Sequence, residues 1–210
     1  MEKQVNKDSY NFSKYCTIDR WASYWHQIDE ITKINPESVL EIGLGDGVLS
    51  DYLKNNTCIK YKSMDIAEDL QPDIVGSIDS MKNVENEAFD LVCAFEVIEH
   101  LPFEKFEVIL DELKRVSRKW VLISLPHWGR HFSFEVRLPY FKKKRWQFKL
   151  NLFPIEHKFN GQHYWEIGKS GYNLDKIKKT ILDSGFKIES DYIAFESPYH
   201  HFFVLEKLIK

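Results

Sequence analysis

A chain of 210 residues is long enough for one domain with a sizeable core, and 43% hydrophobic with 29% charged residues is the composition of a globular protein. The net charge of −3 gives no overall attraction to nucleic acid. The three cysteines are scattered without any C-x-x-C pair, which argues against a disulfide framework or structural zinc and favours a reducing compartment. Because no apolar run suits a signal peptide or a membrane span, we expect a cytoplasmic protein with no transmembrane segment.

Residues 1–37 precede the first predicted strand and contain an amphipathic helix. The helix is predicted from Asp19 to Lys33, with Thr17 or Asp19 as its cap. Its apolar side chains recur at helical spacing: Trp21, Tyr24, Trp25, Ile28 and Ile31. We expect most of them to pack on the sheet.

The stretch 38–50, SVLEIGLGDGVLS, predicts a strand, a glycine turn and a helix. Residues 39–42 are a short β-branched and apolar run, and a helix follows over 47–54. Three glycines lie between them at two-residue spacing: Gly43, Gly45 and Gly47. Such a turn brings a ligand close to the backbone amides at a helix N-terminus. The spacing differs from the dinucleotide fingerprint, and Glu41 would repel a pyrophosphate but suits a cationic ligand with an amino group.

Two further strands follow, and each ends near polar side chains. Ile59 to Met64 is the second predicted strand, and it ends at Asp65, 18 residues after Gly47. A carboxylate in this place accepts hydrogen bonds from both ribose hydroxyls of a nucleotide. Residues 73–75 form the third strand and are followed by Gly76, Ser77, Ile78 and Asp79.

The segment Phe89–Pro102, FDLVCAFEVIEHLP, contains the fourth strand and a second motif. Residues 91–94 read as a fully buried strand, a helix is predicted over 103–116, and the fifth strand over 120–125. This alternation predicts an α/β protein with a doubly wound sheet. Phe95 and Glu96 would then lie at the carboxyl end of the fourth strand, where such sheets bind ligands.

Both motifs together resemble those of a known family. The pattern E-x-G-x-G-x-G resembles motif I, and FDLV…EVIEHLP motif IV, of the class I S-adenosylmethionine (SAM) methyltransferases. The resemblance covers roughly residues 36–126 and 172–207. It implies a doubly wound, seven-stranded and mostly parallel sheet with an antiparallel edge strand, and SAM as the cofactor. It also implies these cofactor-binding residues: Glu41, Gly43, Leu44, Gly45, Gly47, Asp65, Ile66, Ser77, Ile78, Asp79, Phe95 and Glu96. An acid commonly directly follows the third-strand glycine in the family, but Ser77 stands there, so Asp79 is the alternative for the adenine contact.

The family's N-terminal helix often closes over the cofactor. The resemblance therefore implies that Tyr10, Arg20 or Trp21 reaches the cofactor.

The string E-x-x-E-H suggests a metal site. If the segment is helical, Glu96, Glu99 and His100 converge on one point, and carboxylate with imidazole suits Mg²⁺, Mn²⁺ or Zn²⁺. The string is similar to the metal motif of the small-RNA 3′-end 2′-O-methyltransferases and the ubiquinone-pathway O-methyltransferases. The RNA enzymes add a downstream histidine, which His163 matches best. Many methyltransferases with the same string use no metal, so both interpretations stay open.

Residues 127–171 interrupt the alternation, and many class members insert a substrate lid there. The stretch 127–150 holds seven Lys or Arg against one acid, Glu135, with seven interleaved aromatic residues. This pattern favours an anionic acceptor, such as a phosphorylated sugar, a lipid head group or RNA, or contact with a membrane surface. The alternative is an ordinary lid with packed aromatics and solvated lysines.

The C-terminal part returns to the fold. A helix is predicted from Asn173 or Asp175 to Gly185, followed by strands over 186–195 and 202–208. The adjacent His200 and His201 are expected to be structural. With no repeats or linkers, residues 1–210 are predicted to form one domain with an inserted lid.

Methyl transfer needs alignment of the acceptor with the sulfonium methyl and exclusion of water, and an oxygen acceptor benefits from a base. His100, then His163 and His127, are the candidate bases.

The sequence favours O-methylation of a small acceptor, an anionic metabolite or a glycan. The alternatives are a metal-assisted RNA 2′-O-methyltransferase and a catalytically silent SAM-binding subunit. RNA is disfavoured because the chain is acidic and has no RNA-binding module. The oligomeric state is left open.

Overall fold

The computed structural model describes residues 8, 10–13 and 15–208. Four α-helices are assigned in this part of the chain: α1 Ile18–Ile34, α2 Val48–Asn56, α3 Phe106–Val116 and α4 Leu174–Asp183. The strands are β1 Ser38–Ile42, β2 Lys60–Asp65, β3 Ile74–Val75, β4 Phe89–Phe95, β5 Ser117–Pro126, β6 Arg130–Val136, β7 Lys144–Leu150, β8 Phe186–Ile193 and β9 His200–Lys207. Every helix and strand predicted from the sequence is present, with ends shifted by a few residues.

Seven strands form one sheet in the order β3-β2-β1-β4-β5-β9-β8. The five strands from β3 to β5 are parallel, whereas β9 lies between β5 and β8 and runs antiparallel to both. The chain winds outward from β1 on one side and from β4 on the other, so the strand order reverses between these two strands. Ligands bind at such a switch point, outside the carboxyl ends of the strands. The predicted α/β, doubly wound fold is confirmed.

Apolar side chains cover both faces of the sheet. On one face Ile31 of α1 and Leu49 and Leu53 of α2 pack against the outward residues of β1, β4 and β5. On the other face α3 and α4 bury Leu110, Ile177 and their neighbours against the opposite residues of the same strands. Because both faces are covered, the central strands read as continuous hydrophobic runs in the sequence.

Local capping explains where α1 begins and ends. Thr17, one of the two caps that the sequence allows, is its N-cap, with Oγ1 accepting a hydrogen bond from the Arg20 amide at 3.2 Å. Asn35 is the C-cap, and its left-handed backbone (φ 51°) lets its amide donate to the Ile31 carbonyl. A short connection then leads to the start of β1.

The segment 127–171 has two parts. Residues 130–150 form an antiparallel hairpin, β6 with β7, as a separate two-stranded sheet. Residues 151–171 are irregular but anchored, because Trp165 is fully buried and its Nε1 donates to the Leu101 carbonyl at 3.1 Å. No helix of the described residues has the length and apolar character needed to cross a membrane.

Candidate active site

A cavity of about 400 Å³ lies at the carboxyl ends of β1, β2 and β4, beside the switch point. Its walls come from the glycine turn, the ends of these strands, the N-terminal segment and the region around residues 162–163 and 199–200. The size is within the range of small-molecule sites, roughly 300–1,000 Å³.

The glycine turn has a backbone that only glycine adopts easily. Gly43 has φ +85°, and a Cβ there would lie 2.4 Å from Cγ2 of Val97. Gly45 and Gly47 also have positive φ, 58° and 79°. Gly43, Leu44 and Gly45 line the cavity, whereas Gly47 is the N-cap of α2 and is absent from the lining. All three glycines therefore have the positive φ that the turn requires, and two of them line the cavity.

Asp65 links the glycine turn to the end of β2. Its Oδ2 accepts a hydrogen bond from the Leu44 amide, and its Oδ1 accepts one from the Ala67 amide, each at 2.8 Å. Asp65 lines the cavity next to Ile66. The residue is thus held in the place where the sequence expects a ribose ligand.

Glu41 is buried at the bottom of the cavity, only 5% exposed. Tyr61 donates a short hydrogen bond to its Oε2. Burial raises the pKa of Glu41 to about 8, and the Tyr61 hydrogen bond acts in the opposite direction. A cationic ligand beside this carboxyl group would favour its ionised form.

The residues predicted around the adenine divide into two groups. Ile78 is 2% exposed and lines the cavity together with Gly76. Ser77 and Asp79 are absent from the lining: the Ser77 hydroxyl donates to Oδ1 of Asp79 at 2.5 Å, and Asp79 pairs with Lys105.

The N-terminal segment covers one side of the cavity. Tyr10, Tyr15 and Arg20 line it, and the Arg20 guanidinium lies 4.5 Å from the centre of the Tyr15 ring. Tyr24 donates to Oδ2 of Asp46 at 2.8 Å and so joins α1 to the glycine turn. Trp21, the third residue suggested for this role, is 49% exposed and absent from the lining.

Glu99, His100 and His163 form a cluster whose potential ligand atoms lie within 4.8 Å of one another. Glu99 is fully buried, and neither of its carboxylate oxygens has a hydrogen-bond partner among the described residues. Its nearer oxygen lies 3.8 Å from Nε2 of His163. Burial and the nearby Glu96 raise the pKa of Glu99 well above its ordinary value. A bound cation would remove the cost of this orphaned group.

Surrounding groups fix both imidazoles of the cluster. Oε1 of Glu166 lies 3.2 Å from Nδ1 of His163 and accepts a hydrogen bond from Tyr199 at 2.7 Å. Nδ1 of His100 lies 3.0 Å from the Gln162 carbonyl oxygen. Burial, together with His163, lowers the pKa of His100 to about 4, so this imidazole is neutral at pH 7. Neutral, oriented imidazoles are the form that binds metals.

Glu96, the fourth predicted ligand, lies outside this cluster. The segment is not an α-helix: Glu96 has a left-handed backbone (φ 55°), and a single 3₁₀ turn follows over Ile98–His100. The Glu96 carboxylate instead accepts a hydrogen bond from Ser124 at 2.9 Å and lies 3.7 Å from Nε2 of His200. Both Phe95 and Glu96 line the cavity. The helical geometry expected for E-x-x-E-H was therefore wrong.

His127 and His200 lie in places that differ from those the sequence predicts. His127, a candidate base, is 6% exposed and absent from the cavity lining, and its Nδ1 lies 2.9 Å from Nδ1 of His201. His200, expected to be structural, lines the cavity and contacts the Ser23 hydroxyl through Nδ1 at 2.6 Å. Alternation along β9 points one of this adjacent pair toward the cavity and the other away from it.

The cations of the basic tract do not reach the cavity. Glu135 pairs with Arg137, Lys143 and Arg145, and Lys149 donates to the His127 carbonyl. Among the described lining residues, Arg20 is the permanent cation. The basic tract therefore serves a surface other than the cavity wall.

A family model described as a methyltransferase domain matches residues 16–190. The chain belongs to the methyltransferase-domain family. The match includes the glycine turn, Asp65 and the Glu99, His100 and His163 cluster. The prediction of a class I SAM-dependent methyltransferase is confirmed for family and fold.

Solved structures of this fold cover most of the chain. The Burkholderia thailandensis 1,6-didemethyltoxoflavin-N1-methyltransferase, with S-adenosylhomocysteine (SAH) bound, has a TM-score of 0.63 at 12% identity over 96% of this chain and 85% of that chain. Magnesium protoporphyrin IX methyltransferase from Synechocystis PCC 6803, also with SAH, has a TM-score of 0.60 at 14% identity over 99% of this chain and 90% of that chain. The methyltransferase domain of the bacterial protein CtHen1-CN has a TM-score of 0.59 at 16% identity over 89% of this chain and 98% of that chain. At these identities the likeness shows the fold.

One curated relative is similar in sequence. The mitochondrial ubiquinone biosynthesis O-methyltransferase of Candida albicans is 28% identical over 113 residues. The matched region is 46% of this chain and 34% of that protein, so the chain spans about a third of the length of this relative.

Proposed function

We propose that this protein transfers the methyl group of SAM to a hydroxyl oxygen of a small acceptor, with a divalent cation held by Glu99, His100 and His163. The observation that carries the proposal is Glu99, a fully buried carboxyl group without a hydrogen-bond partner among the described residues, facing two imidazoles. Stable folds seldom keep such a group unless it serves a site.

The donor set fits a divalent cation. One carboxylate and two imidazoles suit Mn²⁺ or Zn²⁺ better than Mg²⁺, which prefers oxygen ligands. Glu166 and Tyr199 hold His163, and the Gln162 carbonyl holds His100, as supporting groups do in metal sites. A divalent cation bound there would supply Lewis-acid polarisation of an acceptor hydroxyl.

The other half of the cavity fits SAM. Glu41 would hold its α-ammonium group, Asp65 its ribose hydroxyls, and Leu44 and Ile78 its apolar surfaces, because all four line one cavity. The sulfonium methyl of SAM is already activated, so the protein's task is alignment and exclusion of water.

The chain's own residues would perform three tasks around the acceptor. Tyr10, Tyr15 and Arg20 cover the cofactor side and exclude water. His100 and His163, whose rings line the cavity, would hold the cation and so would have no free ring nitrogen to act as a base; the bound cation would instead lower the pKa of the acceptor hydroxyl. Glu166 keeps Nε2 of His163 turned toward Glu99.

The similarity to a ubiquinone-pathway O-methyltransferase supports oxygen as the methylated atom. An anionic acceptor or a glycan stays a prediction, with Arg20 the lining cation available to an anion. RNA 2′-O-methylation is the second candidate, because Glu99, His100 and His163, three of the four residues that resemble the motif of the RNA enzymes, lie together.

Labelled methyl transfer tests the proposal. Purified protein, labelled SAM and a cell extract are incubated with and without a chelator, and the products are fractionated. We expect label in small-molecule, sugar or lipid fractions that falls with chelator and returns with Mn²⁺. Label in nuclease-sensitive material would identify the protein as an RNA 2′-O-methyltransferase. If the amount of label is the same with and without chelator, the cluster of Glu99, His100 and His163 does not act through a metal. Binding of SAH without any labelled product would indicate a silent subunit.

A further inference from the structure

The β6–β7 hairpin has two chemically different faces. Its seven residue pairs run from Arg130 opposite Leu150 to Val136 opposite Lys144, and alternate pairs point to opposite sides. One face carries six polar residues: His131, Ser133, Glu135, Arg145, Gln147 and Lys149. This polar face is held against the domain, because the Gln147 side chain donates to the Ile193 carbonyl and Lys149 to the His127 carbonyl.

The opposite face, which we call the outer hairpin face, is apolar and turned to solvent. It presents six large side chains, each between 41% and 58% exposed: Phe132, Phe134, Val136, Trp146, Phe148 and Leu150. Two of them, Phe132 and Phe148, stack with ring centres 5.3 Å apart. Monomeric proteins rarely expose large contiguous apolar patches, so we expect this face to contact another molecule.

Cations surround the outer hairpin face. Arg130 and Lys144 lie on it at opposite ends, both exposed, and no acidic residue shares the face. The connecting turn adds Lys142, and it adds Arg137 and Lys143, which also pair with Glu135. Three exposed apolar residues lie in the same turn: Leu138, Tyr140 and Phe141. The patch therefore combines aromatic rings with a cationic border.

We propose that the outer hairpin face docks onto a lipid bilayer that contains anionic headgroups. Aromatic rings are favoured at the boundary between headgroups and acyl chains, and bordering lysines and arginines attract anionic lipid. A second copy of the chain is a poorer occupant: a symmetric pair would bring the same cationic face together without a carboxylate to neutralise it. The inference does not depend on which acceptor is methylated.

Vesicle flotation tests this docking without any enzymatic readout. The purified protein is floated with vesicles of phosphatidylcholine alone and with vesicles that also contain phosphatidylglycerol. We expect it to float with the anionic vesicles and to be released as salt increases. The double variant Phe134→Ser with Trp146→Ser, and separately Arg130→Glu with Lys144→Glu, should each lower the partition coefficient by about tenfold or more.

Matched controls carry the same chemical changes elsewhere on the surface. Tyr52→Ser with Val108→Ser removes apolar groups of 41% and 45% exposure, and Lys60→Glu with Lys82→Glu reverses two exposed charges. Both controls should float like the parent protein. SAH affinity and circular dichroism check that every variant is folded.

A fluorescence experiment tests the depth of docking. Lipids brominated on the acyl chain should quench the tryptophan fluorescence of the parent protein, and Trp146→Phe should remove most of that quenching.

Four results would overturn the proposal. One is failure of the parent protein to float with anionic vesicles. Another is an equal loss of flotation in the controls. The third is that the parent protein sediments as a dimer, the double variant Phe134→Ser with Trp146→Ser sediments as a monomer, and neither protein binds vesicles. That result would assign the face to a second copy of the chain. Binding of single-stranded RNA by the face in place of vesicles would equally contradict it.

Discussion

At the scale of single residues, the fold places carboxyl groups where burial disfavours their charge. Glu41 and Glu99 are 5% and 0% exposed; Glu41 lines the cavity, and Glu99 lies beside His100 and His163, which also line it. Natural proteins tolerate the free-energy cost of such groups mainly at functional sites. The two acids are therefore expected to ionise fully when a cation is beside them.

The pH dependence of cofactor binding tests this for Glu41. Burial raises its pKa to about 8, so without a ligand it is protonated at neutral pH. The α-ammonium of SAH favours the carboxylate, so binding releases a proton, and affinity should increase as pH rises toward 8, by up to about tenfold per pH unit. Calorimetry in two buffers of different ionisation heat measures the proton count. Glu41→Gln should bind more weakly and without this pH dependence; a flat profile in the parent protein would refute the assignment.

Some of the site could be predicted from single residues and some could not. Glu41, the glycines and Asp65 follow from short motifs whose spacing is set by one strand and one turn. Tyr199, His200 and Glu166 join the cavity or its support only through the tertiary fold, and their local sequence has no distinguishing pattern. The αL backbone of Glu96 is likewise imposed by packing, which a helical reading of E-x-x-E-H misses.

At the scale of elements, the glycine turn joins β1 to α2 and fixes the cavity wall. Its backbone amides are held by neighbouring strands: the Gly43 amide donates to the Met64 carbonyl at 2.8 Å, and the Leu44 amide donates to Asp65. Displacement of this turn should therefore change stability and cofactor affinity together.

Two alanine variants separate steric overlap from backbone strain. Gly47→Ala meets no atom within 4 Å and should cost about 1–2 kcal/mol in the free energy of unfolding, because φ is +79°. Gly43→Ala should cost roughly 1–3 kcal/mol more, because its Cβ would overlap Val97, and it should also weaken SAH binding. Urea titration and calorimetry measure both effects. Equal losses in the two variants would show that the close approach to Val97 is unimportant.

The hairpin shows what sequence patterns reveal about elements. The buried strands of the main sheet can be recognised in the sequence as continuous apolar runs. In β6 and β7 the apolar residues alternate with polar ones, as in Phe132, Phe134 and Val136. A count of cations and aromatics over residues 127–150 hides this period of two, whereas a test for alternation would have found both strands.

At the scale of the whole molecule, strands of one seven-stranded sheet line the cavity together with segments outside that sheet. The N-terminal segment, the glycine turn and residues 162–163 complete the lining. A single domain over the full chain stays a prediction, and the continuity of the sheet supports it.

Thermal or urea unfolding tests that prediction. We expect one cooperative transition, seen alike by tryptophan fluorescence and circular dichroism. SAH at a hundred times its Kd should stabilise the whole molecule by about 2.7 kcal/mol, because it binds only the folded state. Two separated transitions, with SAH shifting only one of them, would show that the hairpin segment or the N-terminal helix unfolds independently.

Mn²⁺ binding tests the central claim most directly. Purified, chelator-treated protein is titrated with Mn²⁺, and bound metal is followed by electron paramagnetic resonance. We expect the parent protein to bind Mn²⁺, and Glu99→Gln to lose at least about tenfold in affinity while SAH affinity is retained. The control Glu104→Gln removes an exposed acid nearby and should bind like the parent. Absence of Mn²⁺ binding by the parent, or equal binding by Glu99→Gln, would contradict a metal-assisted methyltransferase.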